Sequence, residues 1–358
     1  MNWKANKQKV KIMKTRIFNT LLVSLMLLFP ALNSSAEIVK KVHKSWPIGK
    51  VTSLAIENKF GNINFVTNRD DSVTIDVSID TETGSHRSYR LIDQIDFSFS
   101  IMDGKVKAKT IFDDGFSSHD NFTINYIINI PKNRDLEVIN KYGNVMLDDL
   151  NANGNFEIAY GNINGNSLLA PSGQQIKLEL KYGNANFEKV NNLLGDIAYS
   201  KLRATTIENA ELETRYSNIF AEKSNEIFAN SRYDNYTILS IKRIKSDSKF
   251  TDWKIDEATS SVQFINEYGD IKIRKVPKNF EKVSVQNRYG NIRIGIAADA
   301  SYQLVGETFY CNIIFPDTEP EKYIKEENHT IISAFIGNRN TTSKVNIESR
   351  YGKVDLLE

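Results

Sequence analysis

Residues 181–253 read KYGNANFEKVNNLLGDIAYSKLRATTIENAELETRYSNIFAEKSNEIFANSRYDNYTILSIKRIKSDSKFTDW, and this stretch decides the fold. An aromatic residue returns every 17 positions, at Tyr182, Tyr199, Tyr216, Tyr233 and Phe250. Apolar residues keep fixed places between these aromatics. A constant short period is typical of architectures in which each unit buries its apolar face against the next unit.

The same motif extends in both directions and gives twelve copies, several of which read aromatic-Gly-Asn. Nine of the eleven gaps between successive aromatics lie between 17 and 22 residues. Position +3 after the aromatic is apolar in all twelve copies, and position +5 is apolar in eleven. The twelve aromatics are Phe60, Tyr142, Tyr160, Tyr182, Tyr199, Tyr216, Tyr233, Phe250, Tyr268, Tyr289, Tyr310 and Tyr351. We therefore predict an all-β fold, a β-solenoid of short strands with coils of 17–22 residues.

Each Gly-Asn pair predicts a corner between two strands, because both residues adopt turn conformations at little steric cost. We expect Gly143, Gly183 and Gly290 to have positive φ or another geometry open only to glycine. Counted from the aromatic as position 0, the preceding positions −4 and −2 point inward on the strand, and alternation places the aromatic on the same side. We therefore expect one or more internal aromatic columns with a step of about 4.8 Å. The alternative is an exposed platform on which sugars stack. The asparagines at position −2 predict a partial internal amide ladder; they are Asn58, Asn140, Asn266 and Asn287.

The N-terminus predicts a secretory signal peptide over residues 1–36, with Met13 as the start, since basic residues precede the apolar run Leu21–Leu32. A membrane anchor is the alternative, but the run is shorter than the ~20 residues that span a bilayer. Residues 37–50 form a lead-in and 51–358 the solenoid domain. Alternating segments over 68–131 predict an antiparallel cap, 316–330 a polar loop, and 344–358 the last coil.

Removal of residues 1–36 leaves 40 basic and 44 acidic residues, a net charge of −4. An exported, slightly acidic chain lacks the basic surface of a nucleic-acid-binding protein, so no nucleic-acid partner is expected. No transmembrane segment is expected in the mature chain. Cys311 is the only cysteine, which excludes a disulfide framework, and its corner position favours a structural thiol.

A basic column at position −1 is the one weak candidate for a ligand site. The residues of this column that could contact an anionic glycan or a lipid phosphate are Lys141, Lys181, Arg215, Arg232 and Arg288. Acidic residues at position −3 favour a mixed solvated face instead. The histidines His43, His86, His119 and His329 lack metal-ligand spacing, and the aspartates Asp70, Asp71, Asp113, Asp114 and Asp120 match no calcium loop, so neither metals nor cofactors are expected.

Several of these motifs together resemble a known family. The export signal, the run "LEVINKYGNV" at 136–145 and the repeated Gly-[Asn/Asp]-Ile corners are similar to the bacterial "putative adhesin" family of exported β-strand-repeat domains, over residues 50–358. The resemblance implies a secreted or envelope-associated, non-enzymatic β-solenoid. We expect a binding or structural protein of the cell envelope, periplasmic or at the cell surface, with a surface glycan or envelope protein as partner. A polysaccharide-acting enzyme on a β-helix scaffold and a periplasmic sensing protein are the alternatives.

Overall fold

The computed structural model describes residues 37–67, 71–81, 90–118 and 121–357. The predicted signal peptide therefore lies outside the described residues, as do His86, His119, Asp70 and Asp120. All strands of the described chain belong to one hydrogen-bonded sheet.

The N-terminal region contains a short 3-10 helix, Ile48–Lys50, and seven strands. These strands are β1 (Glu37–Pro47), β2 (Ser53–Lys59), β3 (Ile63–Thr67), β4 (Ser72–Thr81), β5 (Ile95–Met102), β6 (Lys105–Phe112) and β7 (Phe122–Ile130). The strands of the regular repeat are β8 (Asp135–Lys141), β9 (Val145–Leu150), β10 (Gly154–Ala159), β11 (Asn162–Leu168), β12 (Ile176–Lys181), β13 (Asn184–Val190), β14 (Leu193–Ala198), β15 (Lys201–Arg215), β16 (Asn218–Arg232), β17 (Asn235–Lys249), β18 (Asp252–Glu267), β19 (Ile271–Val276), β20 (Lys282–Arg288) and β21 (Ile292–Ile296). The C-terminal strands are β22 (Tyr302–Phe309), β23 (Ile313–Ile314), β24 (Lys322–Lys325), β25 (His329–Ile336), β26 (Lys344–Arg350) and β27 (Val354–Asp355).

Parallel pairing between equivalent positions confirms the β-solenoid. Leu202 of β15 lies opposite Ile219 of β16, which lies opposite Tyr236 of β17 and then Trp253 of β18. Position +3 thus forms a column inside the coils, and eleven of its twelve members are buried. One coil alone could not bury this face, so the core is a product of stacking.

The long strands bend where one residue in each coil falls outside the pairing register. Ala204 pairs with Ala221 and Thr206 with Lys223, so Thr205 and Glu222 are skipped. Position +6 is skipped in the same way in the neighbouring coils, and its members form an exposed column beside the bend.

Antiparallel strands lie near the N-terminus, as predicted: β4 pairs with β7, and β5 pairs with β6. The arrangement is mixed, because β6 also pairs in parallel with β2, and β7 pairs in parallel with β3. These strands therefore continue the solenoid ladders and cover their first rung.

At the other end, the last strands do not follow chain order. β26 lies between β20 and β22 and is parallel to both, so residues 344–350 form the penultimate rung and not the final coil that the sequence predicted. β25 then pairs antiparallel with β22, and β24 pairs antiparallel with β25. The predicted polar loop at 316–330 thus contains an edge strand, β24, whose Lys322 and Lys325 suit an exposed edge.

Candidate functional site

The twelve repeat aromatics form a single stack of rings along the solenoid. Successive ring centroids are 4.6–5.3 Å apart, and interplanar angles are 8° or less beyond the first pair. Eleven steps of about 4.9 Å give a stack roughly 54 Å long. The predicted axial column is confirmed. We call its outer surface the tyrosine face.

The predicted inward direction of these aromatics is wrong. Eleven of the twelve side chains are 43–58% exposed. All twelve residues have positive φ, between 51° and 66°, and this left-handed conformation turns the side chain outward between two buried positions. Such a conformation costs a non-glycine residue roughly 1–2 kcal/mol, which stacking on two neighbouring rings offsets.

None of the three predicted glycines after the aromatics has positive φ. Glycine is needed at these corners because another backbone segment approaches closely. A Cβ at Gly143 would lie 1.9 Å from the carbonyl oxygen of Gly61, and one at Gly183 would lie 1.9 Å from that of Gly161. At Gly290 the distance to the Gly269 oxygen would be 2.0 Å. The second part of the prediction, a geometry open only to glycine, therefore holds for steric reasons.

Four consecutive coils replace this glycine by Ser200, Ser217, Asp234 and Thr251, which use side-chain oxygens instead. The Ser200 backbone N–H donates to Ser217 Oγ at 3.2 Å, and that of Ser217 donates to Asp234 Oδ1 at 2.6 Å. Backbone carbonyls in these coils accept from the N–H of the next coil, as Ser200 does from Asn218 at 3.0 Å. The chain therefore contains two corner types.

An exposed amide ladder runs beside the rings at position +2. Asn144 donates from its backbone N–H and its Nδ2 to Asn62 Oδ1, at 3.0 and 3.2 Å. Asn162 bonds in the same way to Asn144, and Asn184 to Asn162. The buried asparagines at position −2 do not form the predicted internal amide ladder. Their Nδ2 atoms donate to glycine carbonyls, as Asn140 does to Gly61 at 3.1 Å.

Every candidate cation at position −1 has an acidic partner. Lys141 Nζ is 3.4 Å from Glu157, Arg215 is 2.8 Å from Asp196, and Arg232 is 3.5 Å from Asp247. Arg288 lies 3.9 Å from Glu267, and Lys181 bonds to Glu179, which raises the pKa of the lysine. The structure brings these five cations into one column but neutralises them, so the column offers little free positive charge.

The remaining chemical candidates have structural partners. His43 Nδ1 lies 2.7 Å from Asp76, His329 Nε2 lies 2.9 Å from Glu307, and Cys311 Sγ donates to the Ser349 carbonyl at 3.7 Å. Within the described ranges, no group of three or more His, Cys, Asp or Glu side chains is placed to hold a metal ion. No helix of the described chain is long and apolar enough to cross a membrane.

Comparison with known proteins gives matches among solved structures alone. No protein-family model matches the sequence, and neither does any curated protein. A "putative lipid binding protein" from Parabacteroides distasonis is 12% identical, with 65% of this chain and 96% of that chain covered and a TM-score of 0.39. A "putative adhesin" from Parabacteroides distasonis is 12% identical, with 72% and 93% covered and a TM-score of 0.30. A "putative adhesin" from Bacteroides fragilis is 14% identical, with 72% and 97% covered and a TM-score of 0.30.

The names of these neighbours agree with the resemblance drawn from the repeat motifs. Their identities and TM-scores are too low to carry an argument about this chain, so its fold rests on the pairing and ring geometry described above.

Proposed function

We propose that this protein is an exported, non-enzymatic binding protein of the cell envelope and that the tyrosine face is its binding surface. The observation that carries the proposal is the continuous stack of twelve rings, eleven of them half-exposed, beside an exposed amide ladder. Exposed aromatic side chains on this scale suit recognition, because a rigid aromatic offers large contact area at low entropic cost.

The regularity of the face suits an extended, repeating partner. Ring edges recur about every 4.9 Å, so a polymer that contacts one coil can make the same contact with the next. Each ring inside the stack is already held by two neighbours and by backbone pairing, which lowers the ordering cost on binding. A surface glycan or an elongated envelope protein fits this description.

The charge arrangement supports a neutral contact and a non-enzymatic role. The cations beside the rings are paired with acids, so they supply no excess positive charge for an anionic polymer. The acids that partner the cations beside the rings are held in these ion pairs, whereas glycoside cleavage requires a pair of carboxylates free to act on the bond. A polysaccharide-acting enzyme remains the alternative to be tested.

The test compares binding of labelled protein to isolated cell envelopes. The triple variant Tyr182→Phe, Tyr199→Phe and Tyr216→Phe keeps the stack, since Phe250 already occupies it, and removes three phenol hydroxyls. We expect at least a fivefold loss of envelope binding. Tyr323→Phe changes an exposed tyrosine that is not a member of the ring stack; it is the control and should bind as the parent does.

Two outcomes contradict the proposal: unchanged binding of the triple variant, or release of shortened glycan fragments during incubation. Protease treatment of intact cells tests the location separately, because only a surface-exposed chain is cleaved.

A further inference from the structure

An open groove runs along the solenoid beside the tyrosine face, with a cavity volume of about 420 Å³. One rim is formed by position +4, including Asn164, Asn186 and Arg203, and the other by position +6, including Glu188 and Glu222. The groove crosses six successive coils, from Asn64 to Phe220. It is therefore an axial feature, like the ring stack, and separate from it.

The concavity has two causes in the sequence. The floor at position +5 contains Gly165 and Ala204, which leave room between the bulkier Leu147 and Phe187. The residue at position +6 is skipped by the pairing register, as Glu222 is, so the backbone bends and lifts this rim outward.

Charged groups in the groove differ from those beside the rings because they lack ion-pair partners. Among the described residues, Asp148, Glu188 and Glu222 form no salt bridge or side-chain hydrogen bond. Arg203 has no carboxylate partner there either, and its guanidinium lies 4.4 Å from the Phe220 ring centroid. Three carboxylates against one guanidinium give the groove a net negative charge.

The amides on the rim also keep free bonding capacity. Asn186 Nδ2 donates to Asn164 Oδ1 at 2.8 Å, which leaves Asn164 Nδ2 and Asn186 Oδ1 open to a ligand. Apolar surface comes from the half-exposed Met146 and from the partly buried Phe220 ring, one face of which carries the Arg203 guanidinium.

We infer that this groove binds a segment of an uncharged, linear glycan lying along the solenoid axis. Planar amide, carboxylate and guanidinium groups bond to sugar hydroxyls, while an aromatic ring packs on the apolar face of a pyranose. The lining positions repeat with an axial step of about 4.9 Å, so an extended chain of sugar units can contact successive coils. The unpaired carboxylates repel uronate, sulfate or phosphate, so acidic polymers are excluded.

This inference rests on the proposed binding function and deepens it by naming the chemical class of the partner, but it uses a surface other than the tyrosine face. The two can therefore fail separately.

The experiment is calorimetric titration of the full protein with three hexasaccharides: β-1,4-linked glucose, β-1,4-linked N-acetylglucosamine, and galacturonate. We expect binding of at least one uncharged hexamer with Kd below 1 mM and no binding of the acidic hexamer. The double variant Arg203→Ala, Phe220→Ser should lose at least tenfold in affinity. Asn186→Trp, which fills the groove from an exposed position, should lose as much without touching the core.

Arg215→Gln is the matched control, since Arg215 is an exposed arginine outside the groove with its own acidic partner. It should bind as the parent does. The inference is overturned if neither uncharged hexamer binds, if the galacturonate hexamer binds equally well, or if both groove variants keep parental affinity. Envelope binding that depends on the tyrosine face but not on the groove variants would leave the proposed function standing and remove this inference alone.

Discussion

Replacement of a stacked tyrosine separates the cost of its backbone conformation from the gain of its stacking. Tyr199 has φ of 53°, and its ring lies 5.0 Å from that of Tyr182 and 4.9 Å from that of Tyr216. Tyr199→Ala removes both ring contacts and keeps the left-handed strain. Tyr199→Gly removes the same contacts but relieves the strain, because glycine adopts positive φ freely.

The magnitudes follow from these contacts. Two stacked pairs at about 0.5–1.5 kcal/mol each predict that Tyr199→Ala lowers the free energy of unfolding by about 1–3 kcal/mol. Relief of left-handed strain, about 1 kcal/mol, should make Tyr199→Gly the more stable of the two. This order reverses the usual one, since glycine in a strand is normally less stable than alanine by about 0.5–1 kcal/mol.

Urea unfolding followed by circular dichroism and by tryptophan fluorescence measures both variants. Glu211, an exposed residue inside β15, supplies the control pair, and there Glu211→Gly should be less stable than Glu211→Ala. A glycine variant at 199 that is less stable than its alanine counterpart would show that strain at the corner is not what the ring stack offsets.

Four further results are expected. Gly183→Val should lower the free energy of unfolding by roughly 2–3 kcal/mol, because the new Cβ would lie 1.9 Å from a backbone oxygen. Lys181→Val is the control and should change it by no more than about 0.5 kcal/mol. Equal melting temperatures of the two variants would refute this. Asp234→Ala should lower the free energy of unfolding by about 3 kcal/mol, because the buried carboxylate accepts hydrogen bonds of 2.6 Å from Thr214, Ser217 and Ser231. In the same urea assay, Asp247→Ala at an exposed carboxylate should lower it by less than about 1 kcal/mol. Tyr302→Phe should leave the free energy of unfolding unchanged or raise it by up to about 1 kcal/mol, since the buried hydroxyl of Tyr302 has no partner among the described residues. Tyr236→Phe loses a 2.9 Å hydrogen bond to Thr214 and should unfold at a lower urea concentration. Burial raises the pKa of Tyr302 to about 12 and also raises the pKa values of Tyr126 and Tyr236. The contribution of these three phenols to stability should therefore be complete below pH 10 and should fall as the pH rises toward 12. Equal urea midpoints at pH 9 and pH 11.5 would contradict this.

The repeat period was sufficient to predict the coil and its interior. Ile219 and Ile271 sit at a position that is apolar in every copy, and both are buried. The direction of the aromatics could not be predicted in this way, because the alternation argument assumes extended backbone through position 0. Positive φ at residues such as Tyr199 breaks that alternation, and no residue type in the motif predicts positive φ at the aromatic.

The rest of the site depends on contacts between coils. The order of the last rungs was missed because consecutive strands are usually neighbours, whereas Tyr351 stacks between Tyr289 and Tyr310. The groove arises from small residues that coincide at one position in coils far apart in sequence, such as Gly165 and Ala204, and from the absence of ion partners for its acids. A single unit of the repeat carries neither property.

The placement of β26 between β20 and β22 means that this end of the solenoid cannot form in chain order. The coils up to β20 can stack one after another, but β22 has no rung to join until residues 344–350 have paired with β20. Strands β22, β24 and β25 can pair with one another before that, but they join the solenoid only once β26 lies between them and β20. A chain cut before residue 344 would therefore retain an open, unpaired edge at β20, the kind of edge that promotes aggregation.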